Sequence, residues 1–179
     1  MAVAWCGILV AVAYRSEDWE EIYMLVSTIL WIVGNFWWMA AETDIVGDDD
    51  THALQTSYML ETGLGWLAIF YLVLRPLNVI KETPAVTQQF LVLDLHPRFS
   101  YFKNWRQYEY LHMLFWISKD LSWNRYYKPT WWAAFVMTTL LGIDFIWVSY
   151  KKGYVVDVAH YVAQLFWVFA NGAWAYGEL

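Results

Sequence analysis

Apolar residues fill six long blocks of this chain, and inside several blocks polar residues return at helical spacing. The blocks predict helices at about 2–14, 21–41, 54–74, 108–123, 129–149 and 155–179. Pro129 falls in the first turn of the fifth, where a missing N–H does no harm, and Arg75-Pro76 ends the third. The stretch 76–107 loses the pattern; its Lys-Glu-Thr-Pro turn and aromatic-basic run read as an interfacial loop. The expected fold class is an all-α membrane protein with one polytopic domain over 1–179 and about six transmembrane helices. Five spans plus a partial one is the alternative, because helices 1 and 4 are shorter than the ~20 residues a crossing needs.

A four-residue signature recurs within this pattern. Trp31, Asn35, Trp38 and Glu42 reappear as Trp167, Asn171, Trp174 and Glu178, all displaced by 136 residues. A weaker third copy is Trp116, Asp120 and Trp123. The spacing places each set on one helix face. Helices 2, 4 and 6 are therefore expected to be similar, within three helical hairpins, 1–2, 3–4 and 5–6. Two polar stripes at heptad spacing contain the signature: Glu21, Thr28, Asn35, Glu42 and Asp157, Gln164, Asn171, Glu178. At 1.5 Å per residue each stripe is ~31 Å long, close to a hydrocarbon core thickness.

Composition agrees with a membrane setting. The chain is 60% hydrophobic and 16% charged, and its 14 Trp and 13 Tyr suit a membrane–water interface. A net charge of −6 argues against nucleic acid as a partner, and the single cysteine, Cys6, excludes an intrachain disulfide. Loop charges suggest an orientation. The 42–52 loop is acidic, whereas Arg75, Lys81, Arg98, Lys103 and Arg106 surround the 76–107 loop. Placing the basic loop on the cytoplasmic-type side puts Arg15, Lys151 and Lys152 there too, and both ends of the segment on the opposite side. Helices 2, 4 and 6 then run in one direction. The membrane itself is not identified by these residues.

Four charges interrupt apolar windows: Glu61, Lys119, Asp120 and Asp144. An ion at mid-membrane costs about 2.5–3.5 kcal/mol even on lenient scales, so each should meet a partner. Neighbouring Lys119 and Asp120 point about 100° apart, so each is expected to meet another helix, Lys119 at Glu61 or Asp144. His112 and His160 could hold a haem or a chlorophyll-type pigment, but the stronger reading is that they are ordinary polar interface residues. No nucleophile, phosphate-loop or metal-helix motif is present, and Gly63, Gly65 and Gly142 read as close packing points.

Three functions remain. The first is a transporter- or channel-like protein whose repeated stripes line a polar path. The second is a non-catalytic subunit of a membrane complex, or a homo-oligomer, associated with lipid or pigment. The third is a membrane-embedded enzyme acting on an apolar substrate, with Glu61, Asp120 or Asp144 as acid and base. Lipids are expected partners in all three.

Overall fold

Each helix begins and ends where its local chemistry directs. The computed structural model describes residues 2–43, 50–77, 79–80 and 105–179. Six α-helices follow in order: α1 Ala2–Arg15, α2 Trp19–Glu42, α3 Asp50–Ile69, α4 Trp105–Asn124, α5 Lys128–Lys152 and α6 Val155–Glu178. Asp18 caps α2 by accepting from the Glu21 N–H at 3.1 Å, and Glu20 and Glu21 suit the positive end of its dipole. Pro129 opens α5, while Lys151 and Lys152 sit at its negative end. Phe70–Leu74 continues α3 as a π-helical turn, closed by the Arg75 N–H on the Phe70 carbonyl at 3.0 Å. Pro76 follows at once; a ring lacking N–H disfavours the ordinary helical register here, and the wider turn relieves it.

The short helix–helix connections share one turn. After α1, Glu17 adopts φ 57°, and the Asp18 N–H reaches back to the Ala13 carbonyl at 2.9 Å. After α5, Gly153 adopts φ 74° and Tyr154 bonds Ser149 at 3.0 Å. These atoms match at the same 136-residue displacement as the tryptophan signature. After α4, Tyr126 adopts φ 52° and Tyr127 bonds Ser122 at 2.8 Å. All three are Schellman turns, which satisfy the last carbonyls of a helix and reverse the chain.

The chain divides into two compact units, Met1–Tyr110 and Leu111–Leu179. In the first, α2 packs antiparallel on α3. Tyr23 stacks on Trp66 at 4.4 Å, the Ser27 hydroxyl donates to the Gly63 carbonyl at 3.4 Å, and the Trp37 indole donates to Gln55 at 2.7 Å. A Cβ on Gly34 would lie 3.3 Å from Leu60, so backbone proximity sets this crossing. α1 packs on α2. In the second unit α5 and α6 form an antiparallel hairpin, with Phe145 meeting Tyr161 at 5.2 Å and Gly172 against Phe135. The bulk of α4 joins them through large side chains: His112 lies edge-on to Phe145 and Trp123 edge-on to Trp174.

Hairpins 1–2 and 5–6 are thus formed; the pairing of helices 3 and 4 would bridge the two units and stays an expectation. The acidic positions 44–49 and most of the 76–107 loop lie outside the described residues. Among the described residues, three helices are long and apolar enough to cross a membrane: Trp19–Glu42, Thr51–Leu74 and Lys128–Lys152. On α5 the exposed Trp132, Val136, Leu140, Ile143 and Trp147 form one continuous apolar stripe, as a lipid-facing surface would. α4 and α6 have the length for a crossing, but their internal charges and amides dilute the apolar pattern.

Candidate functional site

The densest buried polar group lies on α4. His112, Lys119 and Asp120 are respectively 3%, 1% and 4% exposed. Their spacing of seven and eight residues places them two turns apart on neighbouring faces of the helix. Lys119 Nζ donates to Asp120 Oδ1, and the ammonium also lies 5.9 Å from the Trp123 ring centre. Lys119 was expected to meet Glu61 or Asp144 on another helix; its ion pair is instead with its own neighbour. The four-carbon lysine stem curls back across the 100° between them, and a local pair avoids two separate buried charges. Glu61 is exposed on α3, and Asp144 is half-buried on α5.

His112 ties three helices together. Its Nδ1 lies 3.3 Å from the Gln164 side-chain amide of α6, and it also hydrogen-bonds the backbone of Thr138 on α5. With its proton on Nε2, the ring can accept from the Gln164 amide at Nδ1. His160 is exposed on α6 and meets Tyr161 edge-on at 5.5 Å. Among the described residues no three His, Cys, Asp or Glu side chains are grouped to hold a metal ion. Thr138 is fully buried beside this histidine, and its hydroxyl has no hydrogen-bond partner among the described residues. The sequence reading missed it, because a threonine in an apolar helix usually bonds its own backbone and carries no signal. Replacing His112 with Leu should lower unfolding stability by about 1–3 kcal/mol, because Gln164 and Thr138 lose a shared partner. Thermal unfolding in detergent checks this; an unchanged midpoint would show that the histidine ties nothing.

The repeated signature forms the same local bonds in α2 and α6. Asn35 Nδ2 donates to the Trp31 carbonyl at 2.9 Å, and Asn171 Nδ2 to the Trp167 carbonyl at 3.0 Å. The Trp38 indole donates to Glu42 at 2.9 Å, and the Trp174 indole donates to Glu178. Thr28 likewise bonds the Met24 carbonyl at 2.9 Å. Glu21 and Asp157 occupy the first turns of their helices, where a carboxylate suits the dipole. Two stripe residues reach another helix: Gln164 meets His112, and Glu178 accepts from the Trp123 indole at 2.8 Å. The third copy of the signature thereby meets the second. Trp116 is buried on α4, edge-on to His112 at 5.0 Å.

Comparison with protein-family models, with curated protein sequences and with solved structures gave no match for this chain.

Proposed function

We propose that this chain is a membrane-embedded helical subunit whose internal polar residues serve packing, with lipids and other membrane chains, or further copies of itself, as its partners. The observation that carries this reading is the bonding of the repeated stripe. Asn35 and Asn171 turn their amides onto carbonyls of their own helices, and Glu42 and Glu178 accept indole N–H groups one turn away. A neutral amide satisfied in this way can sit in an apolar helix at little cost and needs no water-filled path. The wide apolar surface of α5 and the exposed Phe166, Trp167 and Trp174 of α6 supply faces for lipid or neighbouring subunits.

A transporter- or channel-like function is the second reading. The buried Lys119–Asp120 pair and the open Thr138 hydroxyl favour it, since buried charge beside an unpaired polar group is a common trace of an ion or proton route. Cysteine accessibility separates the two. In a Cys6→Ser background reconstituted into liposomes, Asn35→Cys, Asn171→Cys and Thr138→Cys are exposed to a membrane-impermeant thiol reagent. Packing predicts that all three stay at least ~10-fold slower to react than a cysteine placed at exposed Tyr126, on the usual dependence of thiol reactivity on access. Rapid labelling of all three would establish an aqueous path and overturn the packing role.

A further inference from the structure

We infer that Glu178, Trp174 and Trp123 form a binding site for the ammonium headgroup of a zwitterionic phospholipid. The inference rests on the membrane reading of the helices and goes beyond the packing role. Glu178 is the last residue of α6, and the last turn of α6 holds no basic residue. A carboxylate there adds negative charge to the negative end of the helix dipole, the opposite of the usual preference. Its described partners are the indole N–H groups of Trp123, at 2.8 Å, and Trp174. Two neutral donors fix the carboxylate in place and leave its charge uncompensated. The two indoles meet edge to face at 5.4 Å and 76°. Trp174 is 50% exposed and Trp123 only 4%, so one ring offers a surface while the other anchors the acid. A carboxylate, a helix C-terminus and an accessible tryptophan face all attract an organic cation.

The surroundings place this cation at a membrane interface. The same end of the α5–α6 hairpin carries Trp131, Trp132, Phe135, Phe169 and Tyr176 in mutual ring contact, the composition of an interfacial aromatic belt. Lys128, exposed at the start of α5 on the adjoining turn, is available to the phosphate of a lipid whose ammonium rests on Glu178. The same Trp–Glu step recurs in α2 as Trp38 and Glu42, again with no basic residue in the last turn, but among the described residues no second indole is bonded to that acid. The complete arrangement is therefore on α6.

The test uses the whole chain in maltoside micelles with the tryptophan indoles labelled by nitrogen-15. Diheptanoylphosphatidylcholine, diheptanoylphosphatidylglycerol and choline chloride are titrated separately. The Trp123 and Trp174 signals are assigned with W123F and W174F. Saturable shifts of both are expected with the choline lipid, with about tenfold weaker response to the glycerol lipid, the size of one desolvated cation–π contact. Glu178→Gln, at an exposed position, should remove that preference while the other indole signals stay in place. Equal shifts by choline chloride would support the site and assign recognition to the ammonium alone. Equal response to both lipids, or an undiminished response in Glu178→Gln, would overturn the site and leave the membrane reading intact. A protein that stays monodisperse without detergent would overturn the membrane reading, and this inference with it.

Discussion

Replacing Lys119 with Met should destabilise the folded protein by about 3–5 kcal/mol, and replacing Asp120 with Leu should do the same. Both side chains are almost fully buried, and they pair with each other. Removing either breaks the ion pair at a buried position. Removing both should be milder, because a buried pair often gains little over a hydrophobic replacement of similar volume. The double variant is therefore expected within about 1–2 kcal/mol of the original chain, a coupling of several kcal/mol. Equilibrium unfolding in mixed micelles measures the cycle. Additive losses would mean that the two charges act independently, and the pair would then have no role in fixing α4. The result also bears on function. If the double variant folds, its assembly and any flux can be measured without the buried charge, which separates a structural pair from a working one.

The six helices were legible because their ends carry strong local chemistry. Pro129 marked the start of α5, and Arg75-Pro76 marked the end of the third helix. Boundaries differ from expectation where no such signal exists; α4 begins at Trp105 rather than near 108. The number of crossings is harder to read. Length makes α4 and α6 candidates, yet they carry His112, Lys119, Asp120, Gln164 and Asn171 inside, and among the described residues three other helices are apolar enough to cross by composition.

Side-chain bonding was the least legible. Heptad spacing correctly aligned Asn35 with Glu42 and Asn171 with Glu178, but spacing reports a shared face and not a bonding partner. An asparagine four residues after another residue can always bond that carbonyl, so the same stripe fits a water path or a self-satisfied helix. The Trp38–Glu42 and Trp174–Glu178 bonds were within reach of sequence reasoning, since each joins residues at i and i+4. The Trp123–Glu178 bond was not, because it depends on how α4 meets α6. The glycines divide similarly. Gly142 is a packing point as expected, Gly65 faces open space, and Gly34 and Gly172 were not foreseen. A glycine in an apolar helix signals close approach only when its face is known.

Gly172→Ala is expected to loosen the α5–α6 hairpin by about 1–3 kcal/mol, the usual range for an overpacked contact. An added Cβ would sit 2.4 Å from Cε2 and 2.9 Å from Cζ of Phe135, inside the van der Waals limit. The ring has little room to yield. It stacks on Trp131 at 5.1 Å with 9° between the planes, and meets Trp132 and Phe169 edge-on. Trp131 itself is 1% exposed, so a shift of Phe135 would propagate into the buried interior of the second unit. Helix propensity works the other way, since Ala exceeds Gly by about 1 kcal/mol in a helix interior, and the measured loss is the balance of the two. A second change isolates the steric part. Phe135→Leu removes the ring edge that the new methyl meets, so Gly172→Ala should be neutral or stabilising in that background. Thermal unfolding of the four proteins gives the coupling directly. If Gly172→Ala destabilises equally with Phe or Leu at 135, the close approach of α6 to this ring does not set the hairpin geometry.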